Sequence, residues 1–197
     1  MTHPLLLELR EQIETPRLLL RRYRPGDGEW YAQMSLKNKA HLARYEAGNP
    51  VMKINSADQA EVLIREFAND WSARRAFFMG AFNKQDGAFA AQIYIGVVNW
   101  ELPEFEIGYF ADVDHTRQGL VTEAVKAAMD FVFTDLGAWR ARLECDDGNV
   151  PSQRVAEKCG MTLEGHFRQN MRHADGSFTG TYFYGLLRSE YLHQEHQ

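Results

Sequence analysis

The segment Gln118-Gly119-Leu120-Val121 joins a strand-like run, Phe105 to Ala111, to the clearest helix in the chain, Thr122 to Leu136. Val121, Ala124, Val125, Ala128, Met129, Val132 and Leu136 recur on one face of that helix, and Gly137 supplies its stop. A strand that turns on a glycine and continues as a helix points several unpaired backbone N–H groups at one place. The positive end of the helix dipole lies there too. Such a corner can seat a pyrophosphate on backbone donors; Gly119 permits close approach and Arg117 adds a charge. A plain strand-to-helix connection, with glycine for turn geometry, accounts for the same letters. No Gly-Lys-Ser/Thr follows, so this is not a Walker loop, and the three glycines of a dinucleotide fingerprint are missing.

The remaining pattern places this corner in a sheet. Arg17 to Arg21 reads as a first strand closed by Pro25-Gly26, after which Asp27 caps a helix carrying Trp30, Tyr31 and Met34. Ser56 and Gln59 make a capping box for a second helix, with Leu63, Phe67 and Trp71 on its apolar face. Strands are expected at Ala76 to Phe82, Phe89 to Trp100 and Phe105 to Ala111, with Asp86-Gly87 turning the first hairpin. Arg140 to Cys145 is a further strand. Asn149 then caps a short helix with Val155, Ala156 and Cys159 inward, ending at Gly160. Leu163 to Met171 and Thr179 to Leu187 close the chain as strands joined across Asp175-Gly176. Strands outnumber interspersed helices, which implies an α/β or α+β fold with a mixed sheet. At 197 residues one domain is expected, burying about 70% of its unfolded surface.

Most of Asn149-Val150-Pro151-Ser152 to Gly160-Met161 is explained by a well-capped helix, but Ser152 falls on the first turn, where its hydroxyl can face a ligand. No Gly-x-Ser-x-Gly elbow exists to make it a nucleophile. Glu106-Ile107-Gly108-Tyr109-Phe110, Gln118-Gly119-Leu120-Val121-Thr122-Glu123-Ala124 and the Asn149 to Met161 segment occur in that order. Together they resemble the GNAT N-acetyltransferases. Glu14-Thr15-Pro16-Arg17-Leu18-Leu19-Leu20-Arg21 and Leu163-Glu164-Gly165 are similar to segments of the RimJ/RimL-type branch. The resemblance runs from about residue 14 to 191, nearly the whole chain, leaving short terminal tails.

The resemblance implies a mostly antiparallel central sheet flanked by helices, with a V-shaped splay between two central strands, the GNAT fold. It implies an acetyl-CoA-dependent transfer of an acetyl group to a primary amine. In such enzymes pantetheine would lie in the splay and pair with the backbone near Phe110 and Ala111. The pyrophosphate would sit on the amides of Gln118, Gly119, Leu120, Val121 and Thr122, with Arg117 nearby. Asn149 and Ser152 would flank the thioester. Two positions depart from the family turn, which usually has Gln or Arg at Thr116 and Gly or Ala at Val121. Because the contacts are mainly backbone, binding is expected to survive.

Amine acetylation needs a neutral amine, a polarised carbonyl and a proton for the leaving thiolate. Glu106 is the first choice of proton acceptor, since alternation puts it on the same strand face as Gly108 and Phe110. A solvated strand glutamate is the bland explanation of it, and Glu144 is the next candidate. Ser152 is preferred as thiolate donor over Tyr182 and Tyr184, whose alternation also fits packing. An acceptor site built from the Trp30 to Glu46 region, Trp100 and the last hairpin would suit a cation, although packing explains the same aromatics.

Composition narrows the rivals. A net charge of −5 gives no general attraction to nucleic acid. No segment approaches the ~20 apolar residues of a membrane span, and the N-terminus does not read as a signal peptide. A cytoplasmic location is expected, with Cys145 and Cys159 as buried thiols. The histidines are scattered and no metal is expected; His193 and His196 fall in a polar tail read as disordered. By branch analogy the acceptor is a protein N-terminal α-amine and the enzyme a homodimer. A polyamine, aminoglycoside or amino acid-like amine stays open as acceptor, as does a non-catalytic acyl-CoA-binding module, which only the altered turn supports. A nucleotide-binding regulator lacks any base- or ribose-reading motif.

Overall fold

A computed structural model describes residues 2–173 and 175–194. Its eight strands are β1 (Gln12–Glu14), β2 (Leu18–Arg22), β3 (Ala76–Asn83), β4 (Phe89–Asn99), β5 (Glu104–Ala111), β6 (Arg140–Asp146), β7 (Thr162–Arg172) and β8 (Phe178–Leu187). The helices are α1 (Gly28–Leu42), α2 (Ala57–Ser72), α3 (Leu120–Asp130), α4 (Val150–Lys158) and α5 (Arg188–Gln194). The strands form one sheet in the order β1-β2-β3-β4-β5-β6-β8-β7. Every neighbouring pair is antiparallel except β5 and β6, which are parallel and joined through α3. The expected mixed, mostly antiparallel sheet flanked by helices is therefore what the chain adopts.

The parallel pair is the informative one. β5 and β6 are in register only from Glu104↔Arg140 to Glu106↔Arg142. Beyond that point β5 stays with β4, down to Ala111↔Ala91, while β6 stays with β8, down to Asp146↔Thr181. The two strands thus leave each other, and the V-shaped splay expected from the resemblance opens past Glu106.

Alternation along β5 divides the core. Phe105 and Ile107 join the cluster beneath α3, with Phe77, Ile93, Val125, Phe131 and Leu143. Phe110 joins a second cluster with Tyr31, Phe67 and Phe89, under α1 and α2. A fully buried Phe or Leu in either cluster stabilises by about 1.5–3 kcal/mol relative to exposure. The apolar stripe of α3 is buried as expected, from Ala124 and Val125 to Leu136.

Several local expectations are corrected. Asp27 precedes α1 but caps nothing with its side chain. Its carboxylate instead accepts from Arg21 and from the Arg24 amide, turning the chain rather than closing the helix. Ser56 does cap α2, accepting from the Gln59 amide at 3.3 Å, but Gln59 reaches back to the Asn55 amide instead of Ser56. The third helix starts two residues early, at Leu120, and widens after Asp130 into a π turn, Phe131–Asp135. That widening lets the Leu136 amide reach Phe131 O at 3.1 Å, before Gly137 (φ +67°) ends the helix.

Ordered backbone also extends past the expected tails. β1 is too short and polar to show periodicity; it is held by pairing with β2. α5 includes His193, so the reading of that residue as disordered is wrong: Tyr191 stacks on Phe133 at 4.6 Å and anchors the helix. His196 lies outside the described residues. Cys145 and Cys159 are buried free thiols, as expected.

Candidate active site

The splay opens a cavity of about 960 Å³. One wall is β5 from Ile107 to Ala111, the opposite wall is β6 from Leu143 to Asp146, and α3 and α4 begin at its edge. Since β5 has no ladder partner on this side beyond Glu106, its backbone there is free to pair with an extended ligand.

The glycine turn borders the cavity through Thr116, Arg117, Gly119, Leu120, Val121 and Thr122. Arg117 (φ +60°) and Gly119 (φ +76°) both take left-handed backbone conformations. A Cβ at Gly119 would meet only Arg17 Nη2, at 3.6 Å, so the glycine is required by conformation and not by crowding. Among the described residues, none accepts a bond from the amides of Gly119 to Thr122, as the first turn of a helix dictates.

The turn is fixed from behind. Glu123, in the first turn of α3, accepts from Thr15 Oγ1 at 2.6 Å and from the Arg17 amide at 2.9 Å, and pairs with Arg17 Nε at 2.6 Å. Arg17 also donates to Gln118 O at 3.0 Å. Burial works against the Glu123 charge, but these bonds hold its pKa below the usual carboxylate range. The N-terminal Thr15-Pro16-Arg17 thus clamps the glycine turn. Gln118 itself is exposed and does not line the cavity.

Asp112, at the end of β5, clamps the other side. It is buried and accepts from Lys37, Asn38, the Asp114 amide and His115, at 2.9–3.1 Å. Desolvation opposes its charge, yet those donors lower its pKa.

Asn149 caps α4, accepting from the Ser152 amide at 3.3 Å, and both residues line the cavity. Ser152 Oγ lies 2.8 Å from the Tyr109 hydroxyl, across the splay. Burial raises the Tyr109 pKa well above that of an ordinary phenol, so the group stays protonated. Tyr182 and Tyr184 pack in the core beneath the sheet and do not reach the cavity.

The carboxylates are distributed unevenly. Glu106 sits at the apex of the splay, paired with Arg142 at 2.7 Å, and does not line the cavity. Glu144 does, and burial together with the charge of Glu106 raises its pKa, Arg142 at 3.4 Å opposing. Glu46 and Asp146 complete the acidic lining, whereas Arg117, Arg154 and Lys158 supply cations from the turn and α4. Trp30 packs against Phe82 and Phe89, and Trp100 against Phe105; neither borders the cavity. The part of the expected acceptor region that does so is His41 to Glu46. Tyr109, Glu46, Arg154 and Lys158 were not singled out from the sequence. For the last two a signal existed: they sit four apart on the helix that Asn149 caps.

No helix among the described residues is long and apolar enough to cross a membrane. Among them no group of three or more His, Cys, Asp or Glu is arranged to hold a metal ion.

A sheet splayed between two parallel strands, with a glycine turn and a helix start at the mouth, is the arrangement that the resemblance to the GNAT transferases implies. The family described as Acetyltransferase (GNAT) domain matches residues 17–162, and the chain belongs to it. The putative ribosomal N-acetyltransferase YdaF of Bacillus subtilis is 24% identical over 177 residues, 88% of this chain and 93% of its own. The probable N-acetyltransferase YjcK of Bacillus subtilis is 29% identical over 110 residues, 55% of this chain and only 61% of its own length. Among solved structures, the ribosomal alpha-N-protein acetyltransferase RimL in complex with coenzyme A superposes with a TM-score of 0.82. It is 20% identical, and the match covers 91% of this chain and 99% of that one. Mycobacterium smegmatis RimJ in complex with CoA-disulfide gives 0.80 at 22% identity, covering 96% and 91%. The microcin C7 self-immunity acetyltransferase MccE, in complex with acetyl-CoA and AMP, gives 0.76 at 20% identity, covering 88% and 93%.

Proposed function

We propose that this protein is an acetyl-CoA-dependent N-acetyltransferase that passes the acetyl group directly to a primary amine, with a protein N-terminal α-amine as acceptor. The observation that carries the reading is the loss of pairing between β5 and β6 beyond Glu106↔Arg142, which leaves a strand edge aimed at a helix start. The residues present fit coenzyme A. Pantetheine would run along β5 beside Phe110 and Ala111, and the pyrophosphate would sit on the amides of Gly119 through Thr122. Arg117, Arg154 and Lys158 would balance the phosphate charge. Acetyl-CoA supplies a thioester already activated for attack.

The chain then has three tasks. Glu144 takes a proton from the incoming ammonium, its raised pKa bringing it nearer that of an amine. Glu106 keeps that pKa high through its charge and stays paired with Arg142. As the carbon–nitrogen bond forms and the carbon–sulfur bond breaks, Ser152 gives its proton to the departing sulfur and recovers one from the acylated nitrogen, which sheds its second proton as it becomes an amide. Asn149 holds the Ser152 backbone, and a backbone N–H near Phe110 polarises the carbonyl.

The protein acceptor is supported by the names of YdaF, RimL and RimJ. A small-molecule amine is the second reading, since MccE is a self-immunity enzyme against a microcin. The deciding experiment incubates the protein with acetyl-CoA and peptides beginning with serine or alanine, beside spermidine, an aminoglycoside and free amino acids. Mass spectrometry should find the acetyl group on a peptide α-amine. Acetylation confined to the small amines would discard the protein acceptor.

A further inference from the structure

Glu46, on the loop between α1 and α2, and Glu144, on β6, both line the cavity. Asn49 Nδ2 donates to the Glu46 carboxylate at 3.0 Å, which fixes its direction. Among the described residues no cation pairs with it: Arg44, the nearest basic residue in sequence, lies over the Tyr45 ring instead, 5.0 Å from its centroid. The loop is tied down by its own neighbour. The Tyr45 hydroxyl donates to Gly148 O at 3.0 Å, on the loop between β6 and α4, so this segment is strapped to the far wall of the splay. Burial raises the Glu46 pKa while the Asn49 bond opposes it, and an ammonium entering the cavity, which Ser152 and Glu144 also line, would supply the countercharge this carboxylate lacks. Glu46 lines the same cavity as Tyr109, whose hydroxyl lies 2.8 Å from Ser152 Oγ.

We infer that Glu46 is the residue that binds the acceptor's ammonium group, and that Glu144 then removes its proton. The inference rests on the acetyl-CoA reading above and adds to it a division of labour between two carboxylates. An acceptor arrives charged because a primary amine is mostly protonated at neutral pH. Glu46 holds that charged form on the strapped loop. Glu144, across the cavity, receives the proton as the nitrogen turns to the carbonyl. Asn49 is a positioning residue for Glu46, and Tyr45 for the loop.

The test uses two coenzyme A thioethers of nearly equal shape, S-(2-aminoethyl)-CoA and S-propyl-CoA, which differ by an ammonium in place of a methyl. Binding is measured by calorimetry on the full chain. The native protein is expected to bind the aminoethyl compound about tenfold more tightly, the scale of one charge-assisted hydrogen bond. Glu46→Gln should bind both compounds alike, with its affinity for S-propyl-CoA unchanged, which also shows that the variant is folded. A Glu46→Gln variant that keeps the native preference, or a native protein without one, overturns the inference while leaving the acetyl-CoA reading intact. Failure of the native protein to bind either compound overturns both. With a serine-initiated peptide as acceptor, Glu46→Gln should raise KM and Glu144→Gln should lower kcat, and the reverse split contradicts the assignment.

Discussion

The Tyr109 and Ser152 hydroxyls, one on β5 and the other on the first turn of α4, meet 2.8 Å apart across the splay. The buried phenol has one proton to give, either to Ser152 Oγ or to the Ser152 carbonyl at 3.3 Å. In donating to Oγ it leaves the serine's own proton free to face the cavity. Tyr109→Phe should therefore lower kcat about tenfold and leave the acetyl-CoA dissociation constant within about twofold. Ser152→Ala should cost about a hundredfold, and the double variant little more, because the two hydroxyls act in series. Additive losses in steady-state kinetics would show that they act separately.

Glu144 gives the pH dependence a definite sign. Its raised pKa should set the acidic limb of kcat/KM, since a protonated Glu144 cannot accept from the amine. Glu106→Gln removes the negative neighbour and leaves Arg142 to Glu144 alone, so the limb should move to lower pH. Glu144→Gln should remove the limb and most of the turnover. A pH–rate profile unchanged in Glu106→Gln contradicts this coupling.

Asp112 should make the protein sensitive to acid. Its pKa is lowered in the folded state, so its contribution is present above the ordinary carboxylate range and is lost as pH falls through the lowered value. Asp112→Asn leaves Lys37 with Asp114 as its remaining partner and should destabilise by about 1–2 kcal/mol at neutral pH. Urea unfolding at pH 7 and pH 3 checks both statements. The variant and the native protein should differ less at the lower pH.

Much of this could be read from the residues because the responsible interactions are local in sequence. The apolar stripe of α3, the Asn149 cap and the glycine turn each declare themselves within a few positions, and their order brought the family into view. What stayed hidden depends on pairs far apart in the chain. Glu106 reads as a free strand carboxylate until β6 places Arg142 beside it. Tyr109 reads as packing until α4 brings Ser152 to it. The service of Thr15 and Arg17 to Glu123 joins residues more than 100 positions apart. Glu46, on a loop without periodicity, acquires meaning only from the Tyr45–Gly148 strap. The π turn after Asp130 has no sequence signature that amphipathic spacing can register.

Arg154 and Lys158 should make coenzyme A binding salt-dependent. Both are exposed and lie on the cavity side of α4. Reversing both charges to Glu should weaken coenzyme A binding at least about tenfold at low ionic strength, with the gap narrowing as salt is raised. An equal loss at all salt concentrations would point to a packing defect instead.

The cavity at the glycine turn should bind acetyl-CoA and release its acetyl group to an amine. Release of free coenzyme A thiol, followed with and without the amine and peptide panel, tests it most directly, with Gly119→Glu as the paired control. A side chain at Gly119 meets the left-handed conformation at a cost of about 1–2 kcal/mol, and the carboxylate adds repulsion toward the pyrophosphate. The native protein should release thiol only when an amine is present and Gly119→Glu should release none, with coenzyme A binding lost in the variant. Tight acetyl-CoA binding by the native protein without thiol release to any amine would make it a binding module, and undiminished transfer by Gly119→Glu would put the cofactor elsewhere.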